Sequence, residues 1–195
     1  MKKCLFLLLF MGLNQFVFAQ THPLEIKISP LRLIFGAFSP SVEYGYTDKI
    51  GFDIEPSFVN FSTKITINGN TNALSAKGVG LQLAAKYYID PKKGLDKFSI
   101  GPYMNISSST GESVDAKLNP YKFKINNVAL GVFFSYKWVK QSGLLFELAL
   151  GGGANLIKDA KLLSGTINVK DIPTSNFSTT ARIGIGYRFQ TGTKK

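Results

Sequence analysis

The chain has 195 residues, of which 45% are hydrophobic, and its formal net charge is +11. This length suits one folded domain, with or without a removable leader. A strongly basic chain makes nucleic acid a candidate partner. The charges are spread over many segments instead of one stripe, however, so we expect no nucleic-acid binding.

The first residues have the pattern of a secretory signal peptide. Lys2 and Lys3 form a charged start, residues 5–18 are mostly apolar, and the small residue Ala19 precedes a predicted cleavage point. The apolar stretch is shorter than the roughly 20 residues that a membrane-spanning helix needs. We therefore expect residues 1–19 to be removed on export.

Loss of the leader changes the chemistry available to the mature domain, residues 20–195. The single cysteine, Cys4, leaves with the leader, so we expect no disulfide and no thiolate metal site. Two lysines leave as well, and because no acidic residue precedes Glu25 the net charge falls from +11 to +9.

Beyond the leader, apolar and polar residues alternate with period two between clusters of Gly, Asn, Asp and Pro, which is typical of antiparallel strands. Eight strands are predicted, at residues 24–35, 38–47, 50–61, 76–89, 97–108, 122–138, 144–155 and 177–189. Pro30, Pro40, Pro56 and Pro102 fall inside them. Because each proline removes a ladder donor, we expect β-bulges at these positions.

The two faces of the predicted strands differ in character. Leu148 and Leu150, for example, alternate with Glu147, Ala149 and Gly151. A soluble barrel covers its exterior with long solvated side chains, whereas an outer-membrane barrel has apolar residues outside and a polar lumen. Small and charged residues on the second face suit a narrow lumen. The sequence thus predicts an all-β, eight-stranded antiparallel up-and-down transmembrane β-barrel.

The predicted connections alternate in length. Those at residues 48–49 and 141–142 are short, while residues 62–75, 109–121 and 156–176 are predicted to be long loops. If the N-terminus is periplasmic, all three long loops face outward, as in outer-membrane barrels.

Aromatic residues cluster at two heights under the same topology, as the two interfaces of a membrane would require. The periplasmic set is Tyr44, Tyr46, Tyr87, Phe98, Tyr136, Trp138, Tyr187 and Phe189, and the outer set is Phe35, Phe38, Phe58 and Phe61.

Charged residues on the predicted inner face are the candidate site. They are Arg32, Glu43, Asp53, Glu55, Lys86, Glu147, Arg182 and Arg188. An unpaired charge in a narrow lumen is costly, so we expect a structural polar network that plugs the barrel. A gated path for ions or small solutes is the alternative.

Nothing in the sequence indicates catalysis, a metal or a cofactor. The only histidine, His22, lies outside every predicted strand, so no general base for a serine nucleophile is available at the barrel rim. Lysines of the long loops could contact lipopolysaccharide phosphates or be ordinary solvated side chains; they are Lys117, Lys122, Lys124, Lys158, Lys161 and Lys170.

The leader, the eight alternating strands and the terminal Tyr187-Arg188-Phe189 together resemble small outer-membrane β-barrel proteins of the OmpA, OmpX and PorT-like type. Residues 39–62 are similar to their second and third strands, and residues 85–103 to their fourth and fifth. The resemblance implies recognition of the last strand, ending at Phe189, by the barrel assembly machinery.

The predicted function is that of a monomeric, non-catalytic outer-membrane barrel in contact with outer-membrane lipid and lipopolysaccharide. Its outward loops would have a structural or binding role. Two alternatives remain open at this point: a narrow channel for small solutes, and a soluble periplasmic carrier of the lipocalin type.

Overall fold

The computed structural model describes residues 23–67, 70–114, 119–165, 167–168 and 174–189. The predicted leader and the predicted cleavage point lie outside these residues. The elements in chain order are β1 (Leu24–Ile28), α1 (Pro30–Ile34), β2 (Ala37–Phe38), β3 (Pro40–Gly45), β4 (Ile50–Ile67), β5 (Asn70–Ile89), β6 (Lys97–Val114), β7 (Pro120–Val139), β8 (Leu144–Ser164) and β9 (Phe177–Phe189).

All strand pairings among the described residues are antiparallel, and the sheet closes into a ring. The order is β2-β4-β3-β1-β9-β8-β7-β6-β5, with β5 returning to β4. Ile26 of β1 shows the closure, because it pairs with Val42 of β3 on one side and Tyr187 of β9 on the other. The predicted all-β barrel is confirmed.

The nine strands of the described residues occupy eight positions around the ring. Strands β2 and β3 both pair with β4, β2 with residues 58–59 and β3 with residues 51–54. They are two segments of the single strand predicted at residues 38–47, interrupted at Ser39. The count of eight therefore describes the ring, and the ninth strand comes from this interruption.

The first predicted strand, residues 24–35, is wrong in its second half. Strand β1 ends at Ile28, and Pro30 begins the short helix α1. Proline has a φ suited to the first helical turn, where its missing N–H has no helical partner in any case. A strand position would instead cost a ladder hydrogen bond, which explains why the chain leaves the sheet here.

The prolines within strands do not produce the expected bulges. Pro40 begins β3, and the register is the same on both sides of Pro56 and of Pro102. The register shifts occur instead between β7 and β8, after Lys122 and after Val128. A missing donor removes one hydrogen bond locally, whereas a bulge needs an inserted residue.

Most of what the sequence predicts as long loops is strand. Residues 62–67 and 70–75 pair with each other as the β4–β5 hairpin, and β8 continues to Ser164. Polar residues are frequent at successive positions here, so the period-two contrast that identifies a strand is lost while the backbone ladder continues. We call this the hairpin end, and the opposite end, with the β3–β4, β5–β6 and β7–β8 turns, the short-turn end.

The polarity of the barrel is the predicted one, with apolar side chains outside. Val132, Leu148 and Ile185 are 43%, 41% and 43% exposed, whereas Glu147 and Arg182 are buried in the lumen. Within the part of the chain that the structure describes, no helix has the length and apolarity to span a membrane.

Candidate functional site: the lumen ion network

Eleven charged side chains of the described residues converge inside the barrel, and we call them the lumen ion network. Eight elements supply them: Glu25 and Lys27 (β1), Arg32 (α1), Glu43 (β3), Asp53 and Glu55 (β4), Lys86 (β5), Lys137 (β7), Glu147 (β8), and Arg182 and Arg188 (β9). The period-two geometry of a strand sends alternate side chains to the same side, which brings the ten strand residues into one lumen, and Arg32 enters it from α1. Five acids therefore face six bases.

The centre of the network is made of two lysines and three carboxylates. The Nζ of Lys27 lies 2.5 Å from Glu43 and 2.7 Å from Asp53, and 2.9 Å from Glu147. Lys86 contacts the same three carboxylates at 2.9, 2.9 and 2.7 Å. Each ammonium thus has three acidic neighbours, and its three donors are satisfied.

This arrangement also bears on metal binding. Oxygens of Glu43, Asp53 and Glu147 lie within 4.8 Å of one another, close enough to surround a cation. The ammonium groups of Lys27 and Lys86 already lie among them. The chain's own lysines therefore supply the positive charge that these carboxylates need.

Towards the short-turn end, Glu25 is the central acid. It accepts hydrogen bonds from Arg188 Nε at 2.8 Å and from Lys137 at 2.6 Å. Arg188 also donates to the backbone carbonyls of Lys93 at 2.6 Å and Leu95 at 3.0 Å. These bonds connect the network to the β5–β6 turn.

Tyr88 links this end of the network to the centre. Its hydroxyl donates to Glu43, and its ring lies 4.8 Å from the Nζ of Lys137. Lys137 in turn lies 2.9 Å from Glu43. A buried aromatic face is a favourable neighbour for an ammonium group because the ring quadrupole attracts it.

Towards the hairpin end, Arg182 and Arg32 hold the last acids. Arg182 pairs with Glu55 at 2.5 Å and with Asp53 at 3.0 Å, and it also contacts Glu147 at 2.9 Å. Arg32 pairs with Glu55 and donates to Thr180 at 3.0 Å. Helix α1 thus contributes one side chain to the network, and that side chain is 21% exposed whereas its partner Glu55 is fully buried.

An aromatic layer lies beside the network. The ring of Phe133 is 5.4 Å from the Nζ of Lys86 and 5.2 Å from the guanidinium of Arg182. It packs edge-on against Tyr103 with ring centroids 6.4 Å apart, in a buried cluster with Ala84 and Ala149. Ion pairs and aromatic rings together fill this part of the lumen.

Inward-facing glycines make room for the large side chains. A Cβ atom at Gly51 would lie 2.8 Å from a carboxylate oxygen of Glu43, and one at Gly186 would lie 2.8 Å from Cγ of Lys27. Both distances are shorter than van der Waals contact. The small residues of the inner face are therefore a steric requirement of the crowded lumen.

The structure places all eight sequence-predicted site residues in this network. Arg32 reaches the lumen from a helix instead of the predicted strand. The sequence reasoning missed Glu25, Lys27 and Lys137. Lys137 lies two residues after Ser135 on the same inner face of β7, so period two alone could have found it.

Glu25 and Lys27 are harder to assign from the sequence. If residues 24–35 formed one continuous strand, the alternation that turns Arg32 into the lumen would turn both of them outward. Helix α1 lies between β1 and β2 and resets this alternation.

The lysines proposed from sequence to contact lipopolysaccharide do not form one group. Lys122 pairs with Glu112 at 2.6 Å, and Lys158 donates to Asn176. Lys161 lies 3.4 Å from Asp159, and Lys124 faces outward on β7. His22, Lys117 and Lys170 lie outside the described residues.

No family model matches the chain, and no curated protein matches it. Similar solved structures include CarO of Acinetobacter baumannii, at 10% identity over 86% of this chain and 97% of that one, with a TM-score of 0.51. They also include a major outer membrane protein of Thermus thermophilus, at 16% identity over 87% of this chain and all of that one, with a TM-score of 0.54. These identities support a shared outer-membrane barrel fold alone, and the resemblance to OmpA, OmpX and PorT-like proteins stays a prediction.

Removal of one network carboxylate should strongly destabilise the barrel. Glu147→Gln keeps the shape of the side chain but leaves its three cationic neighbours undercompensated, and breaking a buried pair costs about 3–5 kcal/mol. The control is Glu112→Gln, which removes a half-exposed pair with Lys122 and should cost less than about 1 kcal/mol. Urea unfolding in detergent micelles, followed by fluorescence of the single tryptophan, Trp138, measures both. Equal midpoints for the two variants would contradict a structural role for the network.

Proposed function

We propose that the chain is an integral outer-membrane β-barrel whose lumen is plugged by the lumen ion network and whose hairpin end provides a structural or binding surface. The observation that carries this proposal is the absence of charge from the outward face over the middle of the described strands. On β7, for example, Val128, Leu130, Val132 and Phe134 point outward, while Lys137 points into the lumen.

The height of this apolar band fits the hydrocarbon layer of an outer membrane. On β7 it runs from Val128 to Trp138, and on β5 from Val79 to Ile89, ten residue steps in each strand. With a rise of about 3.3 Å per residue and a strand tilt of about 40°, ten steps span about 25 Å along the barrel axis, the height typical of such bands.

Aromatic side chains border the band at the short-turn end. The Trp138 ring lies 4.4 Å from that of Tyr136 and 5.4 Å from that of Phe146, and Tyr187 lies 5.0 Å from Phe189. Rings of this kind favour the head-group region of a bilayer. They support a membrane interface at the short-turn end. Short turns are typical of the periplasmic side of an outer-membrane barrel, to which export through the predicted signal peptide would deliver the chain.

The same polarity argues against a soluble carrier of the lipocalin type. Such a barrel would need an apolar interior for its ligand and solvated charges outside. Here the interior holds Glu43, Asp53 and Lys86, and the exterior exposes Val132 and Leu148.

The proposal includes no catalytic role. Within the described residues, each carboxylate of the lumen ion network is held by a lysine or arginine, which leaves none poised as a base towards a substrate. The ring closes within one chain, so we propose a monomer. Phe189 ends β9 opposite Leu24 and is the proposed signal for the barrel assembly machinery.

Cell fractionation tests the proposed location. We expect the mature protein in the outer-membrane fraction, starting near residue 20, and migrating differently on a gel before and after boiling because the closed ladder resists detergent. A protein found in the aqueous periplasmic fraction, with one mobility, would overturn the proposal.

Charge on the outer wall should destabilise the barrel according to depth. Val132 lies near the middle of the apolar band, so Val132→Arg is expected to cost about 2–4 kcal/mol in lipid vesicles, whereas Ser62→Arg beyond the band should cost about 0–1 kcal/mol. Denaturant titration of both variants in vesicles measures the difference. Similar costs at the two positions would argue against a membrane around Val132.

The plugged lumen should conduct poorly. Ion passage would have to separate Lys27 and Lys86 from their three shared carboxylates, so we expect no steady single-channel current in planar bilayers. A steady current that disappears when the protein is boiled would favour the narrow-channel alternative over the plug.

A further inference from the structure

The outer wall at the hairpin end carries a row of lysines immediately beyond the apolar band. Strand pairing puts Lys77 of β5 opposite Thr110 of β6, Thr110 opposite Lys124 of β7, and Lys124 opposite Lys161 of β8. We call Lys77, Lys124 and Lys161 the lysine row. All three are exposed, and their positions in the strand alternation point them outward.

The lysine row is poorly neutralised by the protein itself. Among the described residues, neither Lys77 nor Lys124 lies within salt-bridge distance of a carboxylate, and Lys161 has one loose contact with Asp159 at 3.4 Å. Like charges directly opposite each other on neighbouring strands are destabilising. Binding of an external anion would remove this cost. Lys122, which lies farther out, needs no such anion because it already pairs with Glu112 at 2.6 Å.

An apolar groove lies directly beneath the lysine row on the same wall. Its volume is about 370 Å³, and its apolar lining comes from Val79, Leu81, Ile106, Val128 and Ile157. Three of these residues form one cross-strand row, since Ile106 pairs with Val128 and Val128 with Ile157. The groove therefore runs along the membrane-facing surface and ends at Ser108 and Asn126, one outward-facing row short of the lysines.

A polar row separates the groove from the lysine row. Ser108 donates to Asn126 at 2.7 Å, and Asn126 donates to Asp159 at 3.3 Å. The order from the membrane outward is thus apolar, then a row of hydroxyl, amide and one carboxylate (Asp159), then cationic. A membrane lipid has the same order of acyl chain, sugar or glycerol, and phosphate.

We propose that this surface binds a phosphorylated glycolipid of the lipid A type, with an acyl chain in the groove and phosphate against the lysine row. The inference rests on the proposed membrane location, which puts the row at head-group height. Neighbouring strands are about 4.8 Å apart, so Lys124 and Lys161 can share one phosphate while Lys77, two strands away, contacts a second.

Charge decides between lipid classes. Three lysines with one weakly engaged acid favour a lipid with more than one phosphate group, because each charge-assisted hydrogen bond adds to the attraction. A zwitterionic phospholipid brings its own ammonium, which the lysine row would repel. A singly charged phospholipid would leave at least one lysine without an anionic partner.

Native mass spectrometry of the detergent-solubilised full chain tests the proposal. The probes are diphosphoryl lipid A, phosphatidylglycerol, phosphatidylethanolamine and inorganic phosphate. The wild-type barrel should retain one lipid A, and the variant Lys77→Gln/Lys124→Gln/Lys161→Gln should bind it about tenfold more weakly or worse, a change of at least about 1.4 kcal/mol. The control, Glu112→Gln/Lys122→Gln, removes a nearby lysine together with its acidic partner at no change in net charge, and it should bind like wild type. Ile106→Trp, which fills the groove without changing charge, should also weaken binding.

Equal retention of lipid A by the wild type and the triple variant would overturn the inference, as would equal retention of phosphatidylethanolamine. Inorganic phosphate displacing lipid A would show that the lysines bind phosphate without help from the groove and would overturn the lipid assignment. Each variant is first shown to be heat-modifiable, so that loss of lipid binding is separated from failure of the barrel itself.

Discussion

The structure depends on the compensation of charge inside a closed and narrow ring. An eight-position barrel has a lumen only wide enough for side chains, and the lumen ion network is packed into it. Burying one charge without a partner costs several kcal/mol, but the carboxylates of Glu43, Asp53 and Glu147 are interleaved with the ammonium groups of Lys27 and Lys86. The network also joins strands that are distant in sequence, since β1 is linked to β7 and β8 through Lys137 and Glu147. It therefore lies where a soluble barrel would have its apolar core.

Helix α1 is where the ring departs from a simple meander. Because β1 stops at Ile28, residues 177–184 at the start of β9 have no pairing partner in β1. Helix α1 packs against β9 there. Arg32 crosses from this helix into the lumen and pairs with Glu55. The local interruption at Pro30 is thus tied to the lumen ion network, so the helix is held by an ion pair as well as by packing.

On the outer wall, the chemical character of the side chains changes with height along the barrel axis. Cross-strand pairing converts residues far apart in sequence into level rows: Ile106, Val128 and Ile157 in one, and Lys77, Thr110, Lys124 and Lys161 two rows farther out. The two register shifts between β7 and β8 determine which residues share a row. Without the shift after Val128, Lys161 would not lie opposite Lys124, and the proposed lipid surface would lack its closest pair of cations.

The sequence alone determined the architecture and its polarity, because period two requires only a count along one strand; Leu148 against Glu147 and Ile185 against Arg182 were assigned correctly in this way. It also identified eight members of the lumen ion network. Only the tertiary structure decided the strand break at Pro30, the full length of the hairpins and the inclusion of Glu25 and Lys27. It also distinguished Lys122, which has a carboxylate partner, from Lys124, which has none among the described residues, and it brought in Lys77. These outcomes depend on register and on contacts between distant strands, where one residue of offset turns a side chain to the other face, and no local pattern carries that information.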